Sequence, residues 1–218
     1  MIFQIIDHLY TGKTATELPY SAWDASFHSL SPAKAVCNRK SYFKQLLADM
    51  NKPGGLDVLN LASGPCRDVA EVLPVLQYPC RFTCIDQEPR AIDYARGLLP
   101  ATSAIKLIRG NALRLNYKQE FDLAWSAGLL DYFEERGFRM ILRGMYNAVR
   151  PGGRVVVGNF SENNPDRAFM EWGEWMLIHR SAAELIRLGR SVVGEAPRVW
   201  VEQEPEGVNL FLNILKPS

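Results

Sequence analysis

The sequence has few of the residues on which metal sites and disulfide frameworks depend. Only four cysteines and three histidines occur among its 218 residues. The cysteines form no CxxC pair, and no histidine stands near them at zinc-ligand spacing, so no metal site is expected. Reduced thiols are the simplest interpretation, and they favour a cytoplasmic protein.

The chain also lacks a strong charge excess and a long apolar run. Its net charge is +1, with lysines and arginines dispersed, so nothing indicates a nucleic-acid or anionic-membrane partner. No stretch approaches the roughly 18 consecutive apolar residues of a membrane span, and no secretory leader is expected. With 47% hydrophobic residues, the composition is typical of an ordinary folded globule. The oligomeric state is left open.

The most informative segment is the stretch 60–68, where small residues follow an apolar run and precede a helical pattern. It is a degraded form of G-x-G-x-x-G, with Ala62 and Cys66 at positions where glycine is more usual. In an α/β fold, the first strand turns into its helix at such a loop. Small side chains there let a nucleotide-like ligand approach the backbone N–H groups.

Four apolar runs each end in small or polar residues, which are Ala62, Ser63, Gly64 and Pro65, then Asp86 and Gln87, then Asn111 and Ala112, and finally Ser126, Ala127 and Gly128. Asp86 lies 22 residues after Gly64, the expected distance for a carboxylate that binds a ribose diol. A helix cap before Pro89 is the alternative. Asn111 either reads an adenine edge or simply ends a strand. Because carboxyl ends of parallel strands share one edge, a single ligand can contact all four.

The order of elements predicts an α/β fold in which residues 1–52 form a helical cap and residues 53–218 bind the ligand. The cap pattern has helices at 1–9 and from 31 onward, with an aromatic loop over 20–28 between them. Strands then alternate with helices, which are expected near 66–77, 89–98 and 134–149, followed by one long helical segment from about 165 to 189. Alternation favours a parallel sheet. Two alternating runs, 198–202 and 208–214, flank a Glu-Pro-Glu-Gly turn and predict a final antiparallel hairpin.

These motifs resemble those of class I S-adenosylmethionine-dependent methyltransferases. The segment 60–64 is similar to their glycine loop, 85–87 to their ribose-binding strand end, and 149–153 to the turn before strand five. The resemblance implies a Rossmann-like, mostly parallel seven-stranded sheet that ends in an antiparallel hairpin, with S-adenosylmethionine as cofactor. More narrowly, the chain resembles the group that makes an extracellular-factor 3-hydroxy fatty acid methyl ester, which is also similar to azetidine-2-carboxylate synthases.

Residue roles follow from this resemblance. It implies cofactor contacts from the four strand-end groups and from Arg67, although Arg67 is alternatively a solvated first-turn charge. The Asp/Asn-Pro-Pro-aromatic motif that methylates amide or exocyclic nitrogens is absent and is replaced by 126–129, which disfavours nucleobase and glutamine acceptors. Arg39 either reaches the methionine carboxylate or, as we expect, lies on a solvated basic helix face.

Methyl transfer from a sulfonium requires an aligned nucleophile, exclusion of water and tolerance of positive charge. Aromatic faces supply the last through cation–π attraction, and they alternatively just pack the cap on the core. The candidates are Tyr132, assigned to catalysis, and Phe133, Tyr20, Trp23 and Phe27, assigned to the substrate. His179 is the preferred general base over Asp131 and Glu171, with a structural role as the alternative. Asn159 orients a substrate oxygen or the ligand amine, or caps a strand.

The sequence therefore leaves three functions open. The first is a methyltransferase of secondary metabolism that acts on an oxygen or carboxylate of a small molecule. The second is cyclisation of S-adenosylmethionine to azetidine-2-carboxylate with release of methylthioadenosine, and the third is non-catalytic binding of the cofactor. Methyl transfer is favoured because it is the commonest use of this fold.

Overall fold

The computed structural model describes residues 2–14, 17 and 20–218. One seven-stranded sheet runs through the described chain, with strands β1 (Leu56–Leu61), β2 (Cys80–Asp86), β3 (Ile105–Arg109), β4 (Phe121–Ser126), β5 (Val149–Phe160), β6 (Arg198–Gln203) and β7 (Asn209–Leu215). The strand order is β3-β2-β1-β4-β5-β7-β6. Strands β1 to β5 pair in parallel, and β7 is antiparallel to both β5 and β6. The predicted Rossmann-like methyltransferase fold is confirmed.

Eight α-helices accompany these strands in the described residues, namely α1 (Ile2–Thr11), α2 (Tyr20–Ser29), α3 (Ser31–Met50), α4 (Arg67–Val72), α5 (Pro89–Leu98), α6 (Glu135–Ala148), α7 (Arg167–Trp172) and α8 (Ala182–Val193). Successive residues of β1 point to opposite faces of the sheet and both faces are covered, so five of its six residues are buried. Val58 belongs to the core beneath α3, α4 and α5, whereas Leu59 belongs to the core beneath α6 and α8.

A third apolar cluster covers part of the sheet edge where the parallel strands end. It contains Leu9 of α1, Val36 of α3, Phe160 of β5 and Met170 of α7. Helices α1 and α3, which precede the sheet in the sequence, thus meet α7, which follows β5, above one rim of the sheet. None of the helices in the described ranges has the length and apolar character that a membrane crossing requires.

The aromatic loop expected over residues 20–28 is helix α2, so this prediction was wrong. No residue of α2 is buried. A helix that buries no face needs no apolar stripe of helical period, and this segment has none. Its contacts are tertiary, because the Trp23 ring lies 6.0 Å from Phe169 and 6.2 Å from Trp172, both on α7. Such a helix has little periodic signal in its own sequence.

The long helix expected from about 165 to 189 is two helices, α7 and α8. Glu174 between them has a positive φ of 60°, which no helix accommodates. Ser181 and Glu184 form a capping box that starts α8, a signal present in the sequence as S-x-x-E. Gly189 does not end α8, which continues to Val193, and an added Cβ at this glycine would lie 3.1 Å from the Val199 side chain. This glycine lets the helix pack closely on the hairpin.

Two smaller boundaries also differ. The helix expected over 66–77 ends at Val72 and continues only as a 3-10 turn over Leu73–Val75, in which Pro74 supplies no N–H donor. Strand β5 begins at Val149, five residues before the expected start at 154, because its first part pairs across a bulge with β4.

Candidate functional site

A cavity of about 610 Å³ opens where β1, β2, β3 and β4 end, a size typical of small-molecule sites. The sequence-predicted residues that line it are Ala62, Ser63, Gly64, Pro65, Arg67, Asp86, Gln87, Asn111, Ala112, Ala127, Gly128, Tyr132 and Phe133. The parallel strands bring these residues to one rim, as the sequence predicted. Ser126, Asn159, His179, Tyr20, Trp23 and Phe27 do not line this cavity.

The loop after β1 is held in a conformation that favours glycine. Ala62, Gly64 and Cys66 all have positive φ, at 54°, 52° and 53°. For a residue with a Cβ, the left-handed region costs on the order of 1–2 kcal/mol. The glycines missing from the motif are therefore replaced by two residues that adopt the geometry of glycine, and the loop turns as a glycine loop does.

Asp86 joins this loop to the end of β2. One oxygen of its carboxylate accepts a hydrogen bond from the N–H of Gly64 at 2.8 Å, and the other accepts one from the N–H of Glu88 at 2.9 Å. Each carboxylate oxygen can accept a second bond, so the group still has capacity for ligand hydroxyls. Asn111 caps the turn after β3, because its side-chain oxygen accepts from the N–H of Leu113 at 2.9 Å.

The small residues at the end of β4 and in the turn after it have structural roles that the sequence did not reveal. Ser126 is buried, and its hydroxyl donates to the carbonyl of Leu61 at 2.9 Å, which ties β4 to β1 beneath the cavity. A Cβ on Gly128 would lie 2.7 Å from a terminal nitrogen of Arg39. A glycine at this position therefore makes room for the Arg39 guanidinium.

Arg39 is buried in the cavity wall, so its expected place on a solvated basic face was wrong. Only 5% of its surface is exposed, and one terminal nitrogen donates to the carbonyl of Ala127 at 3.2 Å. Its Nε has no protein partner. A buried guanidinium with an unused N–H calls for an acceptor, such as a ligand carboxylate.

Asp131 is a buried carboxyl group in the wall of the cavity. One of its oxygens accepts a hydrogen bond from the N–H of Phe160 at 3.3 Å, whereas Oδ1 has no partner. Burial raises the pKa of Asp131 to about 6, although Arg39 and Arg180 act in the opposite direction. Asp68, at the start of α4, has a pKa that burial likewise raises to about 6.

Four buried side-chain atoms in the described residues lack a hydrogen-bond partner, and three of them belong to residues that line this cavity. These are Ser63 Oγ, Arg39 Nε and Asp131 Oδ1, while the fourth is Asn209 Oδ1. Buried polar atoms in folded proteins are almost always satisfied. Their concentration here indicates a ligand that brings both donors and acceptors.

The segment that carries Asp131, Tyr132 and Phe133 is fixed by Arg180, a residue that the sequence did not single out for the site. Arg180 is 3% exposed and donates to the carbonyls of Leu130 at 3.3 Å and Phe133 at 2.6 Å. Its guanidinium also lies 4.8 Å from the Phe138 ring. Burial lowers its pKa. No periodic motif surrounds Arg180, so only the fold reveals its role.

Asn159 completes this arrangement from β5. Its side-chain oxygen accepts from Arg180 at 2.7 Å, and its amide nitrogen donates to the carbonyls of Phe160 and Ile178 at 2.9 and 3.0 Å. The side chain is fully buried and its polar atoms are used within the protein. We interpret Asn159 as a residue that positions Arg180.

His179 lies between α7 and α8, so it is not in a helix, although the sequence led us to expect one there. Its Nδ1 lies 3.1 Å from the carbonyl of Leu177, and its Nε2 lies 3.1 Å from the side-chain nitrogen of Asn164. Since a carbonyl only accepts, Nδ1 carries the proton and Nε2 accepts. Burial lowers the pKa of His179, which favours this neutral form. The geometry matches the structural alternative.

The three aromatic candidates of the cap do not line the cavity. Tyr20 and Trp23 are 64% and 54% exposed. Phe27 packs at the margin of the third apolar cluster. Trp175, which the sequence did not single out, lines the cavity instead, and its indole N–H donates to the Tyr132 hydroxyl at 3.1 Å.

Helix α1 forms one wall of the cavity through Ile6 and Tyr10 and is fixed in place by an ion pair. Arg67 donates twice to Asp7, at 2.8 and 3.2 Å, and the Tyr94 hydroxyl donates to the same carboxylate at 2.7 Å. Burial alone would raise the pKa of Asp7, but the bonds from Arg67 and Tyr94 outweigh it and lower the pKa. Arg67 thus holds α1 over the cavity.

Replacing Asp7 by asparagine should loosen α1. Because the folded pKa lies below the ordinary 3.8, the carboxylate stabilises the folded state above about pH 4, and this contribution is lost as pH falls through the folded pKa. At pH 7, D7N should therefore raise amide hydrogen exchange in residues 2–11 by about tenfold or more. The exposed carboxylate of Asp49 provides the control D49N. Equal protection in D7N and wild type would contradict this assignment.

Parts of the chain are similar in sequence to known proteins. Residues 58–153 match the family model of a methyltransferase domain. Over 137 residues the chain is 28% identical to nodulation protein S of Sinorhizobium fredii (strain NBRC 101917 / NGR234), an alignment that covers 59% of each protein. The chain therefore spans less than two thirds of that relative's length.

Solved structures share the fold. The crystal structure of a possible exported protein from Bordetella parapertussis has a TM-score of 0.82 at 18% identity, covering 99% of this chain and 79% of the other. The N-methyltransferase NodS from Bradyrhizobium japonicum WM9, in complex with S-adenosylhomocysteine, has a TM-score of 0.62 at 18% identity, covering 99% and 98%. At these identities the solved structures show that this chain shares the fold of these proteins.

Proposed function

We propose that this protein transfers the methyl group of S-adenosylmethionine to a small molecule. The observation that carries the proposal is the cavity at the ends of β1 to β4, where the Asp86 carboxylate accepts hydrogen bonds from the glycine loop and from the turn after β2. A methyltransferase domain match over residues 58–153 and a NodS structure with bound S-adenosylhomocysteine support it.

The residues present fit this cofactor. Asp86, Asn111 and Ala112 line the cavity, and we assign Asp86 to the ribose hydroxyls and the other two to the adenine. Arg39 has an unused N–H for the methionine carboxylate. Asp68, whose carboxylate accepts from the Asn60 amide at 3.4 Å, offers an acceptor for the methionine ammonium. When bound, the cofactor supplies a methyl group activated by a sulfonium.

The proposal also assigns roles to the helical cap and to the aromatic residues of the cavity. Residues 1–52 act as a cap, with α1 and α3 forming cavity walls, and residues 53–218 bind the cofactor. Tyr132, Phe133 and Trp175 provide the aromatic wall near the reacting groups and exclude water. We keep the cytoplasmic location and a role in secondary metabolism as parts of the proposal.

Product analysis tests the reaction type. The purified protein is incubated with S-adenosylmethionine, alone and with a panel of small amines, alcohols and carboxylic acids, and the nucleoside products are identified by mass spectrometry. Methyl transfer predicts S-adenosylhomocysteine that accumulates only with an acceptor. Methylthioadenosine and azetidine-2-carboxylate from the cofactor alone would instead establish cyclisation, an alternative that the comparisons do not support. Tight binding without either product would favour a non-catalytic protein.

A further inference from the structure

We propose that the methyl acceptor is an amine on an apolar or aromatic body, and that Asp131 Oδ1 binds this amine and accepts its proton. This inference rests on the proposed function. It differs from the oxygen or carboxylate acceptor favoured by the sequence, and it assigns Asp131 a catalytic role that the sequence gave to His179.

The first observation is the orphaned acceptor. Asp131 is 1% exposed, its Oδ1 has no partner, and it lines the same cavity as Tyr132, Phe160 and Trp175. A buried carboxylate oxygen requires a hydrogen-bond donor, which a substrate N–H supplies and a substrate carboxylate does not.

The second observation is the charge of the cavity. Its charged lining residues are two arginines and four carboxylates, namely Arg39, Arg67, Asp68, Asp86, Glu88 and Asp131. Arg67 is already paired with Asp7, so Arg39 is the cation that remains for ligand anions. The excess negative charge attracts cationic ligands and disfavours a second anion besides the methionine carboxylate.

The third observation is the aromatic wall on the same side. Tyr132 and Trp175 are joined by a hydrogen bond of 3.1 Å, and the Phe160 ring lies 5.8 Å from the Trp175 ring. Aromatic faces stabilise an ammonium group and pack against an apolar substrate body. The carboxylate and the rings together match an amine better than a neutral hydroxyl.

The proton and electron balance follows from these contacts. A bound ammonium gives one proton to Asp131 Oδ1, which frees the nitrogen lone pair. That lone pair forms the bond to the methyl carbon while the electrons of the carbon–sulfur bond remain on sulfur. The products are a methylated ammonium and S-adenosylhomocysteine, and Asp131 releases its proton to water when the products leave.

Calorimetric titration separates this role from cofactor binding. With the protein saturated by S-adenosylhomocysteine, 2-phenylethylamine is expected to bind at least about tenfold more tightly than 3-phenylpropionate, a carboxylate of similar shape. D131N should weaken amine binding about tenfold while changing S-adenosylhomocysteine affinity less than about threefold. The control E134Q alters an exposed carboxylate of the same segment and should change neither. D131S, which keeps an acceptor for the Phe160 N–H, serves if D131N does not fold.

Each other outcome overturns the proposal. Equal binding of the carboxylate, unchanged amine binding in D131N, or failure of the amine to bind would remove the amine assignment. A tenfold loss of S-adenosylhomocysteine affinity in D131N would assign Asp131 to the methionine ammonium. If wild-type protein binds no S-adenosylhomocysteine at all, the proposed function itself fails, which is a separate result.

Discussion

Alanine at Asp86 is expected to weaken binding of S-adenosylhomocysteine about 100-fold, because hydrogen bonds to a charged group contribute about 1.5–3 kcal/mol each. The carboxylate is proposed to receive ribose hydroxyls while it also accepts from the N–H groups of Gly64 and Glu88. Isothermal titration calorimetry measures the change. The matched control D93N alters an exposed carboxylate of α5 that pairs with Arg96 and should leave affinity unchanged.

A change of ligand separates direct recognition from damage to the loop. Wild-type protein should bind S-adenosylhomocysteine more tightly than its 2′-deoxy analogue, whereas D86A should bind the two equally if Asp86 contacts the ribose. If D86A loses affinity but still discriminates between them, Asp86 only holds the glycine loop. Affinity within threefold of wild type would contradict any role for Asp86 in the site.

Methionine at Arg180 is expected to destabilise the protein by about 3–5 kcal/mol, the usual cost of removing one member of a buried charged network. The substitution keeps a long apolar stem against Phe138 but leaves the side chain of Asn159 and the carbonyls of Leu130 and Phe133 without their donor. Urea unfolding followed by circular dichroism gives the free energy of unfolding.

The control for Arg180 is R187M on α8. Arg187 is about half exposed and pairs with Glu135, so its loss should cost at most about 1 kcal/mol. A cost below about 1 kcal/mol for R180M would show that Arg180 does not fix the segment after β4. A large cost together with unchanged affinity for S-adenosylhomocysteine would limit Arg180 to folding.

The strand-end part of the cavity, to which we assign the cofactor, could be predicted because it depends on local rules. Gly64 follows the apolar strand β1 and Asp86 ends β2, and parallel pairing carries both to one rim. The departures at Ala62 and Cys66 weakened the motif, but both residues adopt the positive φ that glycine usually supplies. The loop geometry is therefore preserved although its sequence signature is degraded.

The acceptor side was not predictable in the same way. Asp131 was one of three candidate bases, and nothing in its neighbourhood set it above His179. The choice depends on burial and on unpaired atoms, which arise from β5 and from the segment between α7 and α8. Arg180 reaches Leu130 across 50 residues of chain, and Arg39 reaches Ala127 across 88. Contacts at such separations leave no local pattern.

The sequence by itself determined the sheet, its final hairpin and the strand-end loops that line one cavity, because alternation, turn chemistry and spacing are local properties of the chain. Only the tertiary structure decided which side chains face the cavity. In the fold, Arg39 is buried in the cavity wall and one oxygen of Asp131 has no partner. Both ring nitrogens of His179 have partners within the protein, and burial lowers its pKa. Solvation and hydrogen-bond satisfaction depend on all neighbours in space, and those neighbours are distant in the sequence, so local patterns do not predict them.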